Sequence, residues 1–346
     1  MRRLVLLLFL LSLMVMPVSA LEITPPEVPE AGAQLMPEDT TSFSNALQEL
    51  LQKALLTIRP DLDEVSHISV AVICIVMVFS LFHSFSGSPQ KIAYIAGSFT
   101  IVSVLLTSTN SLIRLGTSTI TELSNYGKLL LPVMTAAMAS QGGVTTSTAL
   151  YAGTAAFDLI LTSVISKILV PAVYFFLAMA AANSAIGEDI LKRLRDFIKW
   201  LISWTLKTLL TVFTTYMGIT GVVSGTTDAV ALKATKFTIS SVVPVVGGIL
   251  ADASEAVLVG AGLVKNAVGI YGIIAVLAVF LAPFLKIGIH YAVLKLTAAL
   301  CSLFGTKQLS DLIEDFSTAM GFLLAMTGSA CLLLMISTIC FLKGVA

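Results

Sequence analysis

The sequence predicts an all-α polytopic integral membrane protein of about seven helical spans, with a cleaved signal peptide and an amphipathic charged helical hairpin. Three observations predict it. Of 346 residues 57% are hydrophobic and only 12% charged, where soluble domains carry about a quarter of their residues charged. Apolar runs recur along the chain at lengths near the roughly 20 residues that a crossing helix needs. One basic loop, 187–200, fixes a sidedness by the excess of Lys and Arg on cytoplasmic loops.

Met1 to Ala20 has Arg2 and Arg3, an apolar run, Pro17 and a small-residue ending, so residues 1–20 read as a signal peptide cleaved after Ala20. Residues 21–65 form an acidic translocated segment; Glu22 to Glu64 holds nine acidic residues against Lys53 and Arg59, with Pro25, Pro26, Pro29 and Pro37. Within it Phe43, Leu47, Leu50, Leu51, Ala54 and Leu55 fall at helical spacing, which predicts an amphipathic helix over 41–58, at the outer membrane face or simply solvated.

Residues 66–225 hold the first group of spans. His67 to Ser86 is the first, closed by the turn residues of "SGSPQK", and Ile92 to Thr107 is the second. The polar stretch Ser108 to Lys128 reads as an interfacial linker. Leu129 to Ser140, Ala149 to Ile168 and Leu169 to Ile186 follow, giving five candidate segments before the basic loop. A translocated N-terminus and a cytoplasmic loop require an odd number of crossings between them. Lys192, Arg193, Arg195 and Lys199 make that loop cytoplasmic, with Trp200 and Trp204 as interfacial anchors. Leu201 to Val223 is then an outward span. In residues 269–346, Gly269 to Gly305 is apolar and broken near Pro283, Asp311 to Phe316 is a polar break, and Phe316 to Leu342 is the last span.

Residues 226–268 differ from all of these. "TTDAVALKATKFTISSVVPVVGGILADASEAVLVGAGLVKNAVG" is too charged to face lipid and too apolar for an ordinary loop. Pro244 with Gly247 and Gly248 breaks it into two arms of about 27 Å each if helical. Lys233 and Lys236 share one stripe of the first arm; Asp252, Glu255 and Asn266 share one stripe of the second. Antiparallel pairing sets Asp228 opposite Lys265 and Lys236 opposite Glu255. An unpaired charge at the bilayer centre costs roughly 2.5–3.5 kcal/mol, so pairing or water is needed there. The arms either line a polar path, present a docking surface, or pack as a salt-bridged pair. Asp158, inside the apolar run 149–168, is the second candidate site, because an acid at membrane depth is a functional candidate by default.

Several classes are excluded or disfavoured. Zero net charge gives no basic surface for nucleic acid. Cys74, Cys301, Cys331 and Cys340 lie in apolar runs without ligand spacing and read as small buried hydrophobes; His67, His83 and His290 are isolated. No GxSxG, HExxH or phosphate loop occurs, and "NYGKLL" lacks the flanking residues of one. Ser224 reads as a packing residue. The expectation is therefore no catalytic residue, no metal and no cofactor, and a partner ATPase for any driven transport.

"TTDAVALKATKF", "VVPVVGGILADASEAVL" and "LVKNAVGIYG" resemble the stage III sporulation protein AE family of endospore-forming bacteria, and the order of spans agrees along most of the chain. The resemblance implies a multi-pass protein of the mother-cell membrane surrounding the forespore, required for late forespore gene expression. It implies as partners the other stage III A-operon sporulation proteins, the forespore protein Q, a YidC-type insertase and membrane lipid, in a channel complex joining the two cells. It carries over no catalytic residue. A stand-alone permease and a scaffold for assembling the complex are the competing readings, the former suggested by Pro132, Pro171, Pro244 and Pro283 in or beside spans.

Overall fold

The computed structural model describes residues 26–40, 42–85, 90–140, 144–187, 189–219, 267–304 and 307–344. All regular elements among them are helical: α1 (Glu30–Ala33), α2 (Phe43–Phe85), α3 (Gln90–Ser140), α4 (Val144–Val164), a π turn (Ile165–Leu169), α5 (Val170–Ile186), α6 (Asp189–Ile219), α7 (Ala267–Ser302) and α8 (Lys307–Gly344). Residues 1–25 and, of the expected hairpin 226–268, residues 226–266 lie outside the described residues. Among the described residues five helical stretches are long and apolar enough to cross a membrane: Phe43–Phe82, Tyr94–Ala139, Ser147–Ile186, Gly269–Ser302 and Lys307–Leu342.

The helices are fewer and longer than hydropathy alone predicts. The expected amphipathic helix over 41–58 and the first span are one helix, α2, passing through Pro60. Ser108 to Lys128 is not a linker but the middle of α3, a helix of 51 residues that also contains Pro132. At about 1.5 Å per residue α3 measures roughly 77 Å, more than twice a hydrocarbon thickness. Pro283 does not break α7, and Asp311 to Phe316 is helical in α8. Each proline loses one backbone bond, but neighbouring helices hold both sides of the site together, so the helix continues.

The two segments 149–168 and 169–186 are likewise continuous, joined through the π turn. Pro171 accounts for its position. Proline has no N–H to offer the Lys167 carbonyl four residues back and would crowd it, and widening the turn relieves both problems. At the end of α5, Gly187 takes a left-handed φ of 76° and its N–H bonds the Asn183 carbonyl, closing the helix where the basic segment begins.

Cross-helix hydrogen bonds define two ends. At the base, Ser98 Oγ lies 2.8 Å from Ser184 Oγ, Ser184 donates to the Gln308 carbonyl (3.0 Å), and Ser80 donates to the Phe304 carbonyl (2.8 Å). The end of α2, the start of α3, the end of α5 and the turn from α7 to α8 therefore meet there. At the opposite end, the crown, Tyr216 donates to the Ala149 carbonyl (2.9 Å) and Thr154 to Ser337 (3.0 Å). Helix α6 thus runs from base to crown. Helix α7 returns antiparallel to α8, joined by Ser310 to the Ala298 carbonyl (2.7 Å) and Ser317 to the Tyr291 carbonyl (3.0 Å).

Helix α8 is the axis. From Asp315 to Met335 every residue is buried; Thr327 and Ser329 satisfy their hydroxyls within the helix, on the Leu323 and Ala325 carbonyls, and Ser317 does so on α7. A helix apolar on all sides belongs inside a bundle, and the other long helices supply the walls. In the crown half α7 joins it, buried from Gly272 to Phe280, with Ala46, Leu50 and Ala54 of α2 within the same core.

Candidate functional site

Asp158 sits on α4 facing α3. Its side chain is buried, and Oδ2 accepts a hydrogen bond of 2.6 Å from Ser124 Oγ. Residues one helical turn apart share a face, so Thr154, which reaches Ser337 on α8, and Thr162 lie beside it. The Thr162 hydroxyl and the Tyr126 hydroxyl on α3 are buried without a hydrogen-bond partner. Lys128, one turn beyond Ser124, is exposed and donates to Asn125 (3.1 Å). Three helices are therefore tied at one level by a carboxylate and hydroxyls, close to the crown.

Two ion pairs that the sequence pattern did not reveal lie lower. Arg195 on α6 donates to Asp315 on α8 at 2.7 Å, with both side chains nearly buried, and also bonds Asp196 at 3.0 Å. Burial opposes the Arg195 charge, but the carboxylates of Asp315 and Asp196 more than offset it, so the guanidinium titrates above its ordinary value. Lys286 on α7 bonds Asp61 on α2 at 2.6 Å. One turn on, His290 is buried and its Nδ1 donates to the Lys286 carbonyl (2.9 Å). A third pair, Lys295 with Glu314, is exposed.

A signal for Arg195–Asp315 existed. Read as helix rather than loop, Asp315 shares a face with Leu312 and Ala319 at the start of the apolar run, and an acid buried there needs a cation. Asp61 and Lys286 are 225 positions apart, and nothing local marks the pairing.

The chemistry available is modest. Among the described residues no group of three His, Cys, Asp or Glu is gathered to hold a metal ion. Ser124 faces a carboxylate but no imidazole. Cys301, Cys331 and Cys340 are buried as expected, whereas Cys74 is exposed on α2. Two clefts lie at the base. One of about 140 Å³ is lined by Asn183, Ser184, Lys192, Gln308 and Asp311, the other of about 390 Å³ by Lys295, Lys307, Ser310 and Glu314. Asp228, Lys233, Lys236, Pro244, Gly247, Gly248, Asp252, Glu255, Lys265 and Asn266 all fall outside the described residues.

The sequence matches the family described as Stage III sporulation protein AE over residues 32–344. The chain belongs to that family. It is similar to the stage III sporulation protein AE of Bacillus subtilis (strain 168), 24% identical over 261 residues, which covers 75% of this chain and 65% of the relative. No solved structure matches. Membership of that family implies a role in sporulation, and the long apolar helices fit a membrane protein.

Proposed function

We propose that this chain is a membrane subunit of a secretion-like channel complex linking mother cell and forespore, and that it acts there without enzymatic activity of its own. It resides in the mother-cell membrane surrounding the forespore and is required for late forespore gene expression and endospore formation. Its partners are the other stage III A-operon proteins and the forespore protein Q, with a YidC-type insertase for assembly and a separate ATPase for any driven transport.

The observation that carries this reading beyond family membership is the filled axis. A permease acting alone needs a substrate path between its own helices, usually near the membrane midplane. Here α8 occupies the bundle axis and is buried on every side from Asp315 to Met335. Passage, if this subunit contributes to it, runs between copies or between subunits. The same fact favours the scaffold role as second reading.

Topology supports the orientation. Three candidate spans precede Gly187, an odd number as the basic loop requires, so the base is cytoplasmic and the crown external. Ile219 and Ala267, the residues flanking 220–266, both belong to helix ends at the crown, so the hairpin segment begins and ends on the external side.

The test is affinity purification of the tagged full chain from sporulating cells, paired with a late forespore reporter in the deletion strain. Co-purification of the A-operon proteins and loss of the reporter are expected. A chain that purifies alone from cells whose deletion leaves the reporter intact contradicts the reading.

A further inference from the structure

The outward-facing residues of the bundle change character at one height. On α2 the exposed face from Val70 to Phe82 is apolar (Val70, Met77, Val78, Leu81, Phe82), whereas below residue 68 it carries Arg59, Asp63, Glu64, Ser66 and His67. Helix α3 repeats the change in the opposite direction. Ile92, Ile95, Phe99 and Leu106 are exposed near the base, then Ser111, Arg114, Ser118, Thr121 and Asn125 above. The π turn and α5 expose Ile168, Tyr174, Phe175 and Ile186, and the change falls at Ser166 and Lys167. On α6 it falls at Lys207, above which Thr208, Thr211, Thr214 and Thr215 face outward.

These transitions coincide in space. Each lies about 17 to 25 residues from the base end of its helix, or roughly 25–36 Å at the α-helical rise, close to one hydrocarbon thickness. Glu64, Arg114, Lys167, Lys207 and Lys286 come from five different elements and stand at that level. Below them Phe197, Trp200 and Trp204 form an exposed ladder on α6, with successive rings stacked 5.9 Å apart. Near the base Lys192, Arg193 and Lys199 of α6 are exposed, at the other edge of the belt.

The interior changes at the same height. Around the base, α7 faces outward through Leu296, Leu300 and Leu303. Around the crown, α7 and α8 are both enclosed in an apolar core, and α2, α3 and α6 turn mainly polar residues outward, which is how a water-soluble domain is built. Helix α4 is the exception, exposing Tyr151, Leu159 and Ile160, and Leu51, Leu55, Leu56, Leu62, Leu129 and Val212 interrupt the polar surface of the other helices.

We infer that lipid acyl chains surround only the base half of the bundle, from the base turns to the charged level, and that the crown half stands in water as a helical extension with its own core. Lipid is the occupant of the apolar belt because the belt closes around the bundle at a uniform height and is bounded by charged residues on both sides. Asp158, Ser124, Thr154 and Ser337 then belong to the extension and not to the bilayer. The inference rests on the membrane reading of the chain but on none of the proposed partners, so it can fail or stand independently of the channel assignment.

The test uses the full chain in phosphatidylethanolamine and phosphatidylglycerol vesicles, with Cys74, Cys301, Cys331 and Cys340 replaced and one cysteine restored at a time. A water-soluble maleimide, present on both faces, is expected to modify Ser118→Cys, Asn125→Cys and Thr215→Cys roughly tenfold faster or more than Val78→Cys, Phe99→Cys and Phe175→Cys, because water does not reach the bilayer core. Equal rates in the two sets overturn the inference. An unmodified chain gives a second measurement, since Trp200 and Trp204 are its two tryptophans. Vesicles with acyl-chain-brominated lipid are expected to quench their emission; unquenched emission overturns the inference as well.

Discussion

Helices α8 and α6 both run the height of the bundle, and they solve opposite problems. Helix α8 is apolar on all sides and buried on all sides. Helix α6 buries one stripe, Ile198, Ile202, Leu206, Leu210, Phe213 and Met217, and turns Ile190, Phe197, Trp200 and Trp204 outward. Hydropathy ranks α8 as the better membrane span, yet from Asp315 to Met335 other helices cover it on every side, while the less apolar α6 presents the aromatic face. An apolar run shows that a helix avoids water; which neighbour replaces water is decided by the periodicity and by the other helices.

The two helices are joined by Arg195 and Asp315, and breaking that link should have the largest effect. Asp315→Ala leaves a guanidinium nearly buried without its carboxylate, and removing one partner of a buried pair costs about 3–5 kcal/mol. The expected outcome is a large loss of folded protein in a denaturant titration of the detergent-solubilised chain. Replacing both partners, Arg195→Met with Asp315→Leu, should recover most of it, because a well-packed apolar pair needs no counter-charge.

Next comes the crown contact of α6. A Cβ at Gly153 would lie 2.2 Å from the Tyr216 ring, so Gly153→Leu forces the two helices apart at a cost of about 1–3 kcal/mol. The double variant with Tyr216→Ala should be more stable than Gly153→Leu alone. If it is not, α6 does not close on α4 as described.

The α3–α4 link is smaller. Asp158→Leu removes the acceptor of Ser124 and leaves that hydroxyl buried and unpaired, costing about 1–3 kcal/mol, whereas Asp158→Asn keeps an acceptor and should cost less. Thermal stability of the two variants, measured side by side, should separate them in that order. Smallest of all is the outward ladder. Trp204→Ala in detergent should change stability by under about 1 kcal/mol, within the range of exposed substitutions.

Much of the fold class was legible in the sequence. The fraction of apolar residues leads directly to a helical membrane protein, whereas the basic stretch 187–200, expected as a loop, is the first part of α6, which starts at Asp189 just past the turn at Gly187. What hydropathy could not show was continuity. Ser108 to Lys128 looks like a linker because it is polar, but a helix that stands in water on one side and on protein on the other needs only a buried stripe, and Leu112, Leu123 and Leu130 supply it. The prolines misled in the same way, since Pro60, Pro132 and Pro283 remove single bonds from helices that packing holds on both sides. Asp158 was legible as a buried acid in an apolar run; its partner was not, because Ser124 is one of many serines and 34 positions distant. Asp315 was missed because Asp311 to Phe316 reads as a loop by polarity and as a helix face by spacing.

The most direct measurement of the central claim is labelling from the lipid phase. A hydrophobic diazirine dissolved in the membrane, activated by light and mapped by peptide mass spectrometry, reports which helices meet acyl chains. The account predicts label on α6 around Phe197 to Trp204 and none on α8 between Asp315 and Met335. Label on α8 at or above the level of α6 would contradict it.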